Sequence, residues 1–118
     1  DLKVSKLYGM LPAGAGETSQ GRTAADNATV RTVFVIGPDK QVKLVLVYPM
    51  STGRNFAEIL RVIDSLQLTA KKKLATPANW QPGDKAIILA SVSDADAKQL
   101  FPQGWEAKKP YLRLVDVE

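Results

Sequence analysis

The sequence predicts an α/β fold in which a central sheet is covered by helices. Two neighbouring segments, VRTVFVIG (30–37) and VKLVLVYP (42–49), are rich in β-branched residues and apolar on both faces for most of their length. This composition is typical of strands in a sheet that is buried on two sides. A third segment, NFAEILRVIDSLQLT (55–69), repeats its apolar residues with helical spacing. We therefore expect helices on both faces of the sheet, and the chain alone has too few of them.

The two strands are predicted to form a hairpin, because the short connection GPDKQ places Pro38 and Asp39 in the middle of a type I turn. The helix after them has a clear start, since Asn55 and Glu58 have the spacing of a capping box. Its apolar stripe consists of Phe56, Ile59, Leu60, Ile63 and Leu66.

The segment before the hairpin begins with LKVSKLYGML (2–11), which has the spacing of a short amphipathic helix ended by Gly9 and Pro12. No capping residue precedes this helix, and we expect from this that further chain lies upstream. Residues 12–29 are rich in Gly, Ala, Ser and Thr and predict a long surface loop or a cleavable one. Its glycines do not form a phosphate-binding loop, because no Gly-Lys-Ser/Thr follows them.

The sequence pattern changes after Thr69 from an apolar helical repeat to a charged, proline-bearing connection. We therefore place a domain boundary near Ala70, which separates residues 1–69 from residues 70–118. The second of these regions begins with a charged, proline-bearing connection. Its predicted elements are a strand AIILASV (86–92), a helix SDADAKQLF (93–101) with Ser93 as its cap, and a final strand PYLRLVDV (110–117).

Composition excludes several classes of function. The 118 residues include neither cysteine nor histidine, so the chain offers no disulfide, no thiolate nucleophile and no imidazole ligand, and we expect no metal and no cofactor. No apolar run approaches the roughly 20 residues of a membrane span, and the start has no secretory signal, which predicts a cytoplasmic protein. The net charge of +4 is spread over scattered lysines. The cluster Lys71 to Lys73 follows a helix and complements its dipole, so we expect no nucleic-acid partner.

Four segments, in order, carry a family resemblance: VRTVFVIGPDK, VYPMSTGRNFAEILRVIDSLQLT, ATPANWQPGD and KPYLRL. Together they resemble the C-terminal half of a one-cysteine peroxiredoxin of the peroxiredoxin 6-like branch, and the resemblance spans essentially the whole chain. It implies that residues 1–69 are the C-terminal portion of a thioredoxin-like peroxidase domain. Residues 70–118 would then be the small α+β C-terminal domain associated with dimerisation.

The resemblance also implies site residues. Arg31, at the head of the first strand, resembles the arginine that hydrogen-bonds the peroxidatic cysteine and the peroxide, whereas spacing alone is equally compatible with an arginine that extends to solvent. Arg54 resembles the second arginine of the family, which holds an acidic residue near the nucleophile; otherwise it is an ordinary charge before a helix. Asp39 lies where some members of the branch are assigned a lipase-like aspartate, but a turn aspartate needs no such role, and we leave it unassigned.

The implied activity is that of a thiol-dependent peroxidase in antioxidant defence, which reduces hydrogen peroxide and organic hydroperoxides. The proline-threonine-cysteine loop of the family is absent from the sequence, so the chain by itself should be inactive. The implied partners are a peroxide, an external thiol reductant, an N-terminal half with the catalytic cysteine, and a second subunit in a homodimer. The alternative is a non-enzymatic binding or dimerisation module. The aromatic residues Trp80, Phe101, Trp105 and Tyr111 are either core or part of an interface.

Overall fold

The computed structural model describes residues 2–12, 14–16, 18, 20–26 and 30–117. The chain forms two compact units, Asp1–Arg54 and Asn55–Glu118. The first contains α1 (Lys3–Leu7), β1 (Arg31–Ile36) and β2 (Val42–Tyr48). The second contains α2 (Phe56–Lys71), β3 (Leu74–Ala75), β4 (Ala86–Ile88), α3 (Asp94–Leu100), β5 (Glu106–Lys109) and β6 (Leu112–Val115). None of the helices described here is long and apolar enough to cross a membrane.

The compact units divide about fifteen residues before the domain boundary predicted near Ala70. The reason is that α2 belongs to the second unit, where Leu68 packs against the buried cluster of the small domain. The boundary near Ala70 was predicted from the sequence pattern and from the domain organisation of the family that the chain resembles. It stays a prediction.

The hairpin is confirmed: β1 and β2 pair antiparallel, with Arg31 opposite Tyr48. Its turn follows the prediction, because the amide of Lys40 donates to the carbonyl of Gly37 over 2.9 Å. Lys40 then adopts a left-handed conformation with φ of 61°. Asp39 completes the turn by accepting from the amide of Gln41 at 3.1 Å and from Lys43 Nζ at 2.5 Å. These bonds hold the pKa of Asp39 below its usual value, the contact with Lys43 having the largest effect.

The described residues leave much of the apolar surface of the first sheet uncovered, as expected of a chain with too few helices to cover both faces. The first sheet has two strands. Four of its apolar side chains remain between 45% and 72% exposed: Ile36, Val42, Val45 and Val47. The apolar pattern of the strands therefore calls for packing against further apolar side chains, which the described residues of this chain do not supply.

Helix α2 begins as predicted, since Asn55 accepts a hydrogen bond from the amide of Glu58 at 3.1 Å and so caps the helix. It ends at Lys71, two residues beyond the predicted end. Its predicted apolar stripe is divided: Ile59, Ile63 and Leu66 are partly buried. Phe56 and Leu60 at its N-terminal end are 70% and 62% exposed.

The second unit is built on a four-stranded antiparallel sheet in the order β3-β4-β6-β5. Helix α3 has the predicted cap, because Ser93 accepts from the amide of Asp96 at 3.1 Å. The strand predicted over 86–92 ends at Ile88, and the amide of Val92 bonds the carbonyl of Leu89 to form a turn that leads into α3. The apolar core consists of Leu74, Trp80, Ala86, Ile88, Val92, Ala97, Phe101 and Val115.

Candidate functional site

Arg31 is the first residue of β1 and is partly buried. Its Nη1 donates a hydrogen bond to the backbone carbonyl of Thr52 at 3.3 Å. Thr52 in turn belongs to a tight turn after β2, in which its amide donates to the carbonyl of Pro49 at 3.0 Å. The structure therefore places the Arg31 guanidinium against a backbone carbonyl at an exposed position.

Arg54 lies two residues beyond the carbonyl that Arg31 contacts. It is partly buried, and within the described residues of the first unit it makes no hydrogen bond or ion pair. The structure thus places the Arg31 guanidinium against the segment that carries Arg54.

This arrangement can bind an anion. A guanidinium offers five N–H donors in a planar fork and stays protonated even when partly buried. Such a group beside a thiol favours the thiolate and lowers the thiol pKa. The chain itself has neither thiol nor imidazole. Among the residues that the structure describes, no group of His, Asp or Glu side chains could hold a metal ion.

Two other arginines are fixed more firmly than the predicted pair, and sequence reasoning singled out neither. Arg61 on α2 binds Glu58 through two nitrogens, at 2.6 Å from Nε and 2.8 Å from Nη2. Its Nη1 donates to the carbonyl of Trp80 at 3.3 Å, which ties the helix to the loop after β3. The paired charges lower the pKa of Glu58 and raise that of Arg61, mainly through their hydrogen bonds.

Arg113 on β6 is only 5% exposed, which is rare for a charged residue. Its Nη1 lies 2.6 Å from Asp94 Oδ1, and its Nη2 donates to the carbonyls of Val92 at 2.6 Å and Leu89 at 2.9 Å. The guanidinium therefore ties β6 to the turn before α3. The one available signal was the alternation in LRLV, which places Arg113 on the same face of the strand as buried Val115.

The aromatic residues of the second unit divide into core and surface. Trp80 and Phe101 are buried, and Trp105 packs against the core with its ring 6.0 Å from the Arg113 guanidinium carbon. Tyr111 is 71% exposed. The core interpretation therefore holds for three of the four, and Tyr111 alone is placed where it could contact another molecule.

Comparison with known proteins agrees with this fold. Residues 65–104 match the family described as the C-terminal domain of 1-Cys peroxiredoxin. The 1-Cys peroxiredoxin of Dictyostelium discoideum is 50% identical over 97% of this chain, a match that covers 44% of the relative. A structure of the yeast mitochondrial 1-Cys peroxiredoxin superposes with a TM-score of 0.77 at 44% identity, over 98% of this chain and 53% of that one. The peroxiredoxin 6 of Arenicola marina, solved as a cysteine-to-serine mutant, gives a TM-score of 0.73 at 48% identity, over 98% and 52%.

Fold and comparisons together define the chain as belonging to a peroxiredoxin. Within that class it belongs to the one-cysteine peroxiredoxins, and it includes their C-terminal domain. The chain spans about half the length of the curated relatives that it matches.

Proposed function

We propose that this chain supplies the arginine-bearing side of the active site of a thiol peroxidase. The peroxidatic cysteine would come from polypeptide outside this sequence, since the chain contains none. In the proposed reaction the thiolate sulfur attacks one peroxide oxygen, the O–O bond breaks, and a sulfenic acid forms with release of water or an alcohol. An external thiol then condenses with the sulfenic acid to a mixed disulfide with release of water, and a second thiol reduces this disulfide, which restores the cysteine thiol and forms the disulfide of the reductant.

The observation that supports this proposal is the contact between Arg31 and the turn after β2. Its guanidinium is held by the Thr52 carbonyl through Nη1, which leaves other N–H donors of the same fork for a thiolate and a peroxide oxygen. Arg31 would keep the thiol deprotonated and would stabilise the charge that develops on the leaving oxygen. A lysine could lose its proton in such a place, whereas an arginine cannot.

Arg54 is proposed to support this site. It follows the turn that Arg31 contacts, and its guanidinium has no ion pair among the described residues. We assign it the role of binding an acidic residue near the nucleophile, so that the loop with the cysteine is held in the reactive conformation.

We further propose that the whole protein is a cytoplasmic homodimer. The exposed apolar residues Val45, Val47, Phe56 and Leu60 support the presence of additional polypeptide over the strands and α2. The same exposure would serve a non-enzymatic binding module, and only the catalytic test below separates the two functions.

The test is a chimera in which this chain replaces the matching segment of the Dictyostelium discoideum 1-Cys peroxiredoxin. We expect the chimera to reduce hydrogen peroxide with dithiothreitol as the reductant. Arg31→Met should lower the second-order rate constant by about 100-fold, an effect typical of losing one hydrogen-bond donor to the transition state. Lys98→Met removes the same charge from the exposed surface of α3 and should change the rate less than twofold.

Circular dichroism and thiol titration establish that each chimera is folded and that its cysteine is reduced. A folded, reduced chimera without peroxidase activity would overturn the proposed function. An Arg31→Met variant as active as Lys98→Met would overturn the role of Arg31 alone.

A further inference from the structure

Tyr48 is the residue directly opposite Arg31 in the first hairpin. It is the last residue of β2, and the register of the antiparallel pair aligns it with the first residue of β1. Side chains that are directly opposite in an antiparallel pair point to the same face of the sheet, with their Cβ atoms about 4.5–5.5 Å apart. Both residues are partly buried. The register therefore places the tyrosine next to the arginine on one face of the hairpin.

The face that carries Arg31 and Tyr48 is otherwise apolar. Because side chains alternate along a strand, the other residues that β1 and β2 place on this face are Val33, Val35, Leu44 and Leu46, all of them partly buried. The two polar side chains of the face thus lie together at one end of it. A guanidinium at the border of an apolar surface interacts more strongly with an anion than one surrounded by water.

The hydrogen bond from Arg31 Nη1 to the Thr52 carbonyl does little by itself to order the guanidinium. The bond is long, at 3.3 Å, and lies at an exposed position. The net free energy of such a bond is smaller than the rotamer entropy that an ordered arginine side chain loses. An aromatic ring in the cross-strand position offers a second contact, because its flat face can pack on the arginine side chain. Ordering a tyrosine is also cheap in entropy, since its ring position depends on two torsion angles.

We propose that Tyr48 is a positioning residue for Arg31, an inference that rests on the proposed peroxidase function. The ring of Tyr48 restricts the arginine side chain from the side of β2, while the Thr52 carbonyl accepts from Nη1. The N–H donors on Nε and Nη2 then remain for the thiolate and the peroxide oxygen. Tyr48 touches neither of these atoms and acts through Arg31, so the ring is required and the hydroxyl is not.

The test uses the chimera with the cysteine of the Dictyostelium discoideum protein. We expect Tyr48→Ala to raise the pKa of the peroxidatic thiol by about half a unit and to lower the rate constant for hydrogen peroxide about fivefold, the effect of losing one strong cross-strand pair. Tyr48→Phe keeps the ring and should stay within about twofold of the unmutated chimera. Thiol alkylation as a function of pH gives the pKa, and stopped-flow reduction of hydrogen peroxide gives the rate constant.

Tyr8→Ala is the matched control, because it removes the same side chain from the other face of the same hairpin. The Tyr8 ring packs against Phe34, with the two ring centroids 4.9 Å apart. Phe34 alternates with the residues of the Arg31 face and therefore points away from it. Tyr8→Ala should leave the alkylation profile of the thiol unchanged.

A double variant shows whether Tyr48 acts through Arg31. In the Arg31→Met background, Tyr48→Ala should have no further effect on the thiol pKa or on the rate constant, because the group that it positions is gone. An equal further loss in that background would overturn the proposal, as would a Tyr48→Phe variant as slow as Tyr48→Ala. A folded Tyr48→Ala chimera with the same alkylation profile as Tyr8→Ala would overturn it too.

Circular dichroism establishes that each variant is folded. If Tyr48→Ala does not fold, Tyr48→Leu takes its place under the same criteria, since it keeps an apolar side chain and removes the ring. The failure of the proposed function has a different signature: a folded, reduced chimera without peroxidase activity would overturn that function. The alkylation profiles of the same chimeras would still decide the role of Tyr48.

Discussion

Nη1 of Arg31 lies 3.3 Å from the backbone carbonyl oxygen of Thr52, and this hydrogen bond joins the start of β1 to the turn that follows β2. The pairing of the hairpin makes the bond possible, because Arg31 is opposite Tyr48, the last residue of β2, and the chain turns back at Pro49. The direction of the arginine is therefore set by strand register and by one turn. Both are set by backbone hydrogen bonds, and the proposed role of Arg31 requires such a defined position.

Replacing Arg31 by lysine tests whether the planar guanidinium, with its several N–H donors, is required, or whether a positive charge is sufficient. In the chimera with the Dictyostelium cysteine, Arg31→Lys should raise the thiol pKa by about one unit, because a single ammonium cannot donate to Thr52 and to the thiolate in the same geometry. The measurement is the rate of thiol alkylation as a function of pH. An alkylation profile identical to that of the unmutated chimera would contradict the assignment, and Lys98→Arg serves as the control for a surface exchange.

Local signals in the sequence predicted local structure well. The spacing of Asn55 and Glu58 located the start of α2, and Pro38 with Asp39 located the hairpin turn, because both motifs act over three or four residues. The contact from Arg31 to Thr52 could not be predicted in this way. It joins residues 21 positions apart and depends on the paired strands between them.

Other features were missed because their sequence pattern points to a different environment. Strand β5 is exposed at all four residues and carries two lysines, as edge strands often do, so it has no apolar alternation to detect. Arg113 looks like a surface residue until β6 is placed inside the sheet. Conversely, Val45 and Val47 look buried in sequence but are exposed in the described structure. Such a pattern is typical of strands that further polypeptide covers, and the chain is about half as long as its curated relatives.

The buried guanidinium of Arg113 is expected to contribute strongly to stability. Arg113→Leu would remove the donor of the Val92 carbonyl and one of the two donors of the Leu89 carbonyl, and it would leave Asp94 without its partner, so we expect the free energy of unfolding to fall by about 3 kcal/mol. Arg113→Lys should lower it by a similar amount, because an ammonium cannot reach all three acceptors. Denaturation followed by tryptophan fluorescence measures both. Lys109→Leu on the neighbouring edge strand should change stability by less than about 0.5 kcal/mol, and an Arg113→Leu variant as stable as this control would contradict the prediction.

Replacing one residue of the hairpin turn, Lys40, by glycine should stabilise the hairpin. Lys40 has φ of 61°, a conformation that costs energy for any residue with a Cβ atom. We expect Lys40→Gly to stabilise the hairpin by about 0.5 kcal/mol, after the greater entropy of glycine in the unfolded chain is subtracted. Amide hydrogen exchange of β1 and β2 reports this change directly. Lys40→Ala removes the same charge but keeps the Cβ atom and should give no gain, so equal protection in the two variants would show that charge, and not backbone conformation, is responsible.

The ion pair between Glu58 and Arg61 predicts how the second unit responds to acid. The pKa of Glu58 in the folded chain is lower than in the unfolded chain, chiefly because Arg61 donates hydrogen bonds to its carboxylate. A group of this kind stabilises the fold above its unfolded pKa, and the stabilisation is lost as the pH falls through its folded pKa. The free energy of unfolding should therefore decrease from about pH 5 downwards.

Glu58→Gln isolates this contribution, because glutamine keeps the shape of the side chain but has no charge to titrate. We expect the variant to be less stable than the wild-type chain at pH 7 and to show a smaller loss of stability between about pH 5 and pH 2. Asp64→Asn removes a carboxylate from the exposed surface of the same helix, where it has no ion pair among the described residues, and should leave the slope unchanged. The measurement is urea denaturation at a series of pH values. If the slopes of wild type and Glu58→Gln coincide, the acid sensitivity of this unit arises from other carboxylates, of which Glu106, whose pKa is lowered by Lys108, is the first to replace.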